Sequence, residues 1–72
     1  MHKSISGFEL VKFLTKNGFI INSRKGSHVK LISIERQAKT IVPQHKELAK
    51  GTLASILHQA KLTEAEINEL LE

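Results

Sequence analysis

The chain has 72 residues, of which 40% are hydrophobic and 25% charged, and this composition predicts one globular domain over residues 1–72. It contains no cysteine, which excludes disulfides and thiolate chemistry and favours a cytoplasmic location, since small secreted domains usually need disulfides. The longest strictly apolar run, residues 19–21, is too short for a membrane span or a signal peptide. The net charge of +4 is uneven, because residues 1–50 hold ten basic and three acidic groups. A basic body favours a polyanionic partner, although lysines that only increase solubility explain the charge equally well.

A first helix is predicted over residues 7–17. Ser6 and Glu9 have the spacing of a capping box, in which each side chain binds a free backbone N–H of the first turn. The pair Asn17-Gly18 ends the pattern, since glycine tolerates the left-handed conformation that closes a helix. The apolar residues between these signals recur at helical spacing: Phe8, Leu10, Val11 and Leu14.

Three short strands follow, over residues 19–24, 28–34 and 39–42. The first two are joined by a glycine-containing turn and form a hairpin, whereas the polar turn before the third strand lacks Gly, Pro and Asn. Pro43 ends the third strand because proline cannot donate to a sheet. The alternation of that strand is ambiguous, since Ile41 and Val42 are both apolar.

A second helix is predicted to begin at Gly51-Thr52, with Thr52 as its cap. Thr63 and Glu66 form another capping box, which starts a short last helix. The order predicts an α+β fold with helices on one face of a three-stranded antiparallel sheet and the other face open. The second helix has one apolar stripe: Leu53, Ile56, Leu57 and Ala60.

The open sheet face is the candidate functional surface. Alternation along the second strand places Val29 and Leu31 in the core and His28 and Lys30 on the open face. Along the first strand, the same rule turns Phe19 and Ile21 inward and Arg24 outward. A cationic cluster is therefore expected at one end of the hairpin: Arg24, Lys25, His28 and Lys30.

This cluster has the groups that RNA cleavage requires. RNA carries its own nucleophile, the 2′-hydroxyl, so a protein needs only to move a proton and to stabilise the charged transition state. Imidazole exchanges protons near neutral pH, which suits His28, and flanking cations suit the second task. Gly26 would let the substrate backbone approach closely, and the Ser27 hydroxyl could bind phosphate.

A histidine beside a turn is more often a solvated surface residue than a catalytic one. A metal site shared by His28 and His45 is disfavoured by their spacing and by the absence of cysteine, so no metal and no cofactor are expected. His2, near the terminus, is expected to be unstructured. Motifs typical of nucleotide binding or of serine hydrolases are missing.

Four segments in order resemble the HicA toxins, the small mRNA interferases of HicA/HicB toxin–antitoxin systems. They are Asn17-Gly18-Phe19, Lys25-Gly26-Ser27-His28, the segment 42–48 (VPQHKEL) and the segment 50–60 (KGTLASILHQA). The resemblance covers residues 5–71 and implies a double-stranded-RNA-binding-domain-like α-β-β-β-α fold. It also implies a single essential histidine, which maps onto His28, and a HicB-type antitoxin that covers it in a bacterial or archaeal cytoplasm.

The sequence departs from the family pattern at three places. Phe19 stands where tryptophan is frequent, the turn before the third strand lacks Pro or Gly, and Lys61 stands where glycine is common. None of these touches His28. The segment Pro43-Gln44-His45 matches a second recurrent feature, so His45 is either structural or a contact to RNA or antitoxin.

Three functions remain open at this point. The first is an mRNA endonuclease with His28 as catalytic residue and with RNA contacts from Arg24, Lys25, Gly26, Ser27, Lys30 and His45. The second is a non-catalytic RNA-binding module, which lacks support from the second helix because that helix carries little basic charge. The third is a pure protein-interaction domain. The free protein is expected to be a monomer that forms a hetero-oligomer with its antitoxin, without membrane association.

Overall fold

The computed structural model describes residues 4–72, so the prediction about His2 lies outside the described residues. The elements, in chain order, are α1 (Gly7–Lys16), β1 (Ile20–Lys25), β2 (His28–Ser33), β3 (Ala38–Pro43), α2 (Lys50–Gln59) and α3 (Glu64–Leu71). The strands form one antiparallel sheet in the order β1-β2-β3. This arrangement confirms the predicted α+β fold, including the short extra helix at its end.

The core lies between the helices and one face of the sheet. On this face β2 and β3 contribute buried side chains, among them Val29, Leu31 and Val42, which pack with Leu10 and Leu14 of α1. Fully burying a side chain of this size stabilises the fold by about 1.5–3 kcal/mol. The alternation predicted for β2 is therefore confirmed, and it leaves His28 and Lys30 on the opposite face.

The first helix is capped as predicted but is rotated relative to the predicted stripe. The Ser6 hydroxyl accepts the Glu9 N–H at 3.0 Å, and the Glu9 carboxylate accepts the Ser6 N–H at 2.9 Å. Phe8 does not join the core and is 61% exposed, because Leu10 and Leu14 form the centre of the buried face. Gly7 lies on the same buried face, one turn before Leu10.

The start of α2 differs from the prediction. The helix begins at Lys50, and its N-cap is Ala49, which forms no side-chain cap hydrogen bond. Thr52 lies inside the helix and is not its cap. The predicted apolar stripe of α2 is nevertheless confirmed, with Leu53 partly buried and the other three residues buried: Ile56, Leu57 and Ala60.

Lys61 ends α2 in the left-handed conformation, with φ at 56°. The Lys61 N–H donates to the His58 carbonyl at 3.1 Å, and the Leu62 N–H donates to the Leu57 carbonyl at 3.4 Å. This pair of bonds is the Schellman motif, which normally has glycine at the position that Lys61 occupies. Lys61 therefore departs from the glycine that is common in the family, but α2 still ends in the motif that glycine usually forms.

Arg36, in the turn between β2 and β3, holds the last helix in place. Its guanidinium forms a two-pronged ion pair with the Glu66 carboxylate, with one hydrogen bond of 2.9 Å, and donates to the carbonyls of Asn17 and Lys61. It also lies over the Phe19 ring, 5.8 Å from the ring centroid. One side chain thus joins the end of α1, the end of α2 and the start of α3.

The Arg36–Glu66 pair predicts a specific loss of stability in acid. The hydrogen bonds from Arg36 and from the Thr63 backbone lower the pKa of Glu66 from 4.5 to about 2. A carboxyl group with a depressed folded-state pKa stabilises the protein above its unfolded pKa, and that contribution is lost as the pH falls toward the folded value. Because both side chains are partly exposed, solvent screens the pair, and we expect a loss of about 1 kcal/mol between pH 4.5 and 2.

Urea unfolding at several pH values measures this effect. In Glu66→Gln the free energy of unfolding should fall less over that pH window, by the amount given above. The control is Glu69→Gln, which changes an exposed carboxylate of the same helix and should lose as much stability as wild type. Equal pH profiles for wild type and Glu66→Gln would contradict a stabilising ion pair.

Candidate functional site

A β-bulge in β1 decides which side chains share the open face of the sheet. Ile21 pairs with Leu31 and Ser23 pairs with Lys30, so Asn22 is an extra residue without a partner. An extra residue reverses the alternation of the strand beyond it. Ser23 and Lys25 therefore lie on the open face, where simple alternation of the sequence would turn them toward the helices.

The predicted position of Arg24 is wrong for the same reason. Arg24 pairs with Val29, whose side chain is buried beneath the helices, and directly opposed residues share a face. Arg24 is exposed, but on the helix side of an edge strand. Ile21 points to that side as predicted, yet it remains 39% exposed, like the rest of the edge strand β1, all six residues of which are exposed.

Two rows of paired residues form the site on the open face. One row runs from Lys25 through His28 to Pro43, and the next runs from Ser23 through Lys30 to Ile41. A shallow depression lies across these rows, and we call it the basic depression. It is lined by Ser23, Lys25, His28, Lys30 and Ile41.

The turn beside the basic depression consists of Gly26 and Ser27, between the paired residues Lys25 and His28. Gly26 has a φ of 60°, and Ser27 lacks a positive φ, a pattern typical of the type II′ hairpin turn. A Cβ at Gly26 would meet no atom within 4 Å, so the space above the turn is open. The other side of the turn is anchored, because the Gln44 N–H donates to the Ser27 carbonyl at 2.6 Å.

His45 lies just beyond the strand that borders the basic depression. It follows Pro43, the residue paired with His28, by two positions, and its side chain is exposed. Its carbonyl accepts the Gly7 N–H at 2.9 Å, which fixes the segment against the start of α1. The His45 side chain does not line the basic depression.

The basic depression is cationic and its cations are not neutralised within the described chain. No carboxylate occurs in either row, and a third lysine, Lys39, lies on the same face opposite Ile32. Within residues 4–72 the ion pair found is that of Arg36 with Glu66, so Lys25 and Lys30 have no acidic partner there. The same part of the chain holds no cluster of three or more side chains suited to a metal ion.

The sequence does not predict two of the lining residues, Ser23 and Ile41. Simple alternation from Ile21 turns Ser23 inward, and the bulge that turns it outward has no signature in the sequence. Ile41 was left undecided, and the structure buries Val42 while leaving Ile41 52% exposed. No sequence signal separates Ile41 from Val42, because both are apolar and the alternation fits either register.

These features define a class of protein: a small α+β domain with an open, cationic sheet face that carries a histidine. A family model described as the HicA toxin of bacterial toxin-antitoxin matches residues 7–62. The chain belongs to this family and is thus a toxin of a toxin–antitoxin system, with an antitoxin as partner. The search of curated proteins gave no match.

Helix α3 lies beyond the residues that the family model covers. Its attachment through Arg36 and Glu66 is therefore a feature of this chain that the family match does not describe. None of the helices between residues 4 and 72 is long and apolar enough to cross a membrane.

Proposed function

We propose that the toxin is a metal-independent endoribonuclease that cleaves mRNA in the cytoplasm with His28 as its catalytic residue. The observation that carries this proposal is the grouping of His28 with Lys25 and Lys30 in one depression of the open face. A shallow cationic surface fits a polymer of phosphates, and the turn at Gly26 leaves room for its backbone.

The proposed reaction uses the substrate's own nucleophile. The 2′-oxygen attacks the adjacent phosphorus, a new O2′–P bond forms, the P–O5′ bond breaks, and a 2′,3′-cyclic phosphate and a 5′-hydroxyl result. One proton leaves the 2′-hydroxyl and one is delivered to the departing O5′. His28 carries out one of these transfers, while the ammonium groups of Lys25 and Lys30 stabilise the negative charge on phosphate.

The second proton transfer has three candidates: water, His45 and a lysine of the basic depression. The Ser27 hydroxyl and the backbone at Gly26 are proposed to position phosphate, since they form the turn between Lys25 and His28. Arg24 lies on the other side of the sheet. Its proposed contact with RNA would therefore require an RNA strand that wraps around the edge of the sheet at β1.

The experiment that tests this proposal is cleavage of an mRNA fragment by the purified toxin in excess EDTA. We expect cleavage, with 2′,3′-cyclic phosphate and 5′-hydroxyl ends identified by mass spectrometry. Products that carry only 3′-hydroxyl and 5′-phosphate ends would rule out attack by the 2′-hydroxyl. Binding of RNA without any strand loss would favour the non-catalytic RNA-binding module.

We also infer that a HicB-type antitoxin neutralises the toxin by covering the basic depression. The charge of this surface supports an acidic partner, and one covered surface would block both RNA binding and catalysis. Binding between toxin and antitoxin should then weaken as ionic strength rises, because salt screens exposed charges over about 8–10 Å. Titration at 50 mM and 500 mM salt measures this, and equal affinities would place the antitoxin elsewhere.

A further inference from the structure

An exposed aliphatic side chain lies among the cations of the basic depression. Ile41 is 52% exposed, lines the depression with Lys25, His28 and Lys30, and is paired with Lys30 across the sheet. Ile41 therefore gives an apolar group of a ligand a place to pack beside the side chains that would bind its phosphate.

The open face offers a base no aromatic side chain on which to stack. The chain has three phenylalanines and neither tryptophan nor tyrosine. Phe8 and Phe13 belong to α1, and Phe19 is buried beside the core, so none of them lines the basic depression. Ile41 is the apolar side chain among the lining residues.

We propose that Ile41 packs against the base of the nucleotide whose phosphate lies at His28, and that the preferred substrate is therefore unpaired RNA. Ile41 and His28 are diagonal neighbours on adjacent strands, because His28 pairs with Pro43 and Ile41 lies two positions before it. Such neighbours on one face are about 7–8 Å apart, a distance that a single nucleotide spans from phosphate to base. In a duplex the faces of the bases are stacked and cannot reach a side chain on a flat sheet.

This inference rests on the proposed function for the position of the phosphate, but it is tested by binding alone. The probes are a fully 2′-O-methylated single-stranded RNA octamer, which has no free 2′-hydroxyl, and the matching octamer of abasic nucleotides. Fluorescence anisotropy gives Kd for wild type, Ile41→Ala and Ile41→Tyr. The matched control is Ile34→Ala, because Ile34 is 81% exposed in the turn at the opposite end of the sheet.

We expect Ile41→Ala to raise Kd for the base-bearing octamer about fivefold, as befits the loss of part of one apolar contact. The abasic octamer should bind wild type and Ile41→Ala equally. Ile41→Tyr should lower Kd for the base-bearing octamer about fivefold, since an aromatic ring stacks on any base. The dependence of binding on salt should stay unchanged in both variants, whereas Lys30→Ala should reduce the slope of log K against log salt by about 0.7.

Several results would overturn the proposal. Unchanged Kd for Ile41→Ala would do so, as would an equal loss for both octamers, because the contact would not involve a base. Loss of antitoxin binding without loss of RNA binding would assign Ile41 to a protein interface. Cleavage of unmodified RNA by wild type is measured in a separate assay. Failure of the Ile41 contact, seen in binding, is thus distinguishable from failure of the proposed function, seen in cleavage.

Discussion

Replacing His28 with alanine is expected to abolish RNA cleavage in excess EDTA while leaving RNA binding nearly intact. The loss should be about 100- to 10,000-fold in rate, the range that one positioned proton-transfer group contributes. Binding should persist because Lys25 and Lys30 supply the phosphate contacts and are separate from the imidazole. Folding should also persist, since His28 is exposed and its backbone pairing does not depend on the side chain. A single-turnover assay, paired with anisotropy binding, separates the two effects.

His58→Ala is the matched control for this experiment. His58 is likewise exposed, but it lies on α2, which packs on the opposite face of the sheet. Its replacement should leave the cleavage rate near that of wild type, because His58 does not line the basic depression and a surface substitution changes stability by only about 0.5 kcal/mol. Full activity of His28→Ala would remove the histidine from the mechanism. His45→Ala then reports on the second proton transfer, because a large loss there with intact binding would assign that role to His45.

Replacing Gly7 with alanine is expected to produce the largest loss of stability among single-methyl changes. Gly7 is buried at the start of α1, and a Cβ built there would overlap the carbonyl oxygen of Pro43 and the adjacent Gln44 backbone. These atoms are main chain, so they cannot rotate aside as a flexible side chain would. We expect the free energy of unfolding to fall by about 2–3 kcal/mol, the upper part of the range for overpacking.

The same substitution should also disturb the functional site. The Gly7 N–H donates to the His45 carbonyl, and Pro43 is paired with His28, so a displaced segment would move both ends of the site. We expect a melting temperature lower by more than about 8 °C, given about 4–8 °C per kcal/mol for a domain of this size. Cleavage measured well below the melting temperature should also be reduced.

Gly51→Ala is the control for the glycine experiment. Gly51 is helical and exposed in α2, and a Cβ there would meet no atom within 4 Å. Alanine has the higher helix propensity, so this change should raise stability by up to about 1 kcal/mol. If Gly7→Ala were as stable as wild type, the close packing of α1 against Pro43 would not exist in solution.

The open, shallow character of the site has a consequence for specificity. Contacts between lysines and phosphates position a nucleic acid but carry no sequence information. Under the proposed function, Lys25 and Lys30 therefore predict broad substrate choice, and the contact proposed for Ile41 adds a preference for an unpaired base without selecting which base it is. Broad substrate choice fits the proposal of a toxin that cleaves many mRNAs.

Local sequence determined most of the elements and their ends. The capping boxes at Ser6 and Thr63 form as expected, because the bonds they need lie within one helical turn. The alternation of β2 was equally readable, since Val29 and Leu31 differ clearly in polarity from His28 and Lys30. This pattern alone places the candidate histidine on the open face.

Ambiguous and interrupted patterns were decided only by the tertiary structure. The bulge at Asn22 moves Ser23 and Lys25 to the open face and Arg24 away from it, and such an insertion is visible only through pairing with β2. The choice between Ile41 and Val42 depended on which of them the helices cover, because the two side chains have nearly the same hydrophobicity.

Contacts between segments that are distant in the chain could also not be predicted from the sequence. Arg36 lies thirty positions before Glu66, and a pattern of charges does not show that the turn and the last helix meet. The segment before α2 is likewise held by a distant residue, since the Leu48 N–H donates to the Ile5 carbonyl two residues before α2 begins at Lys50. The sequence by itself determined most of the elements and placed His28 with Lys25 and Lys30, since those signals are local. The tertiary structure decided that Arg24 lies outside this group and that Ser23 and Ile41 belong to it, since strand pairing and helix packing are not local.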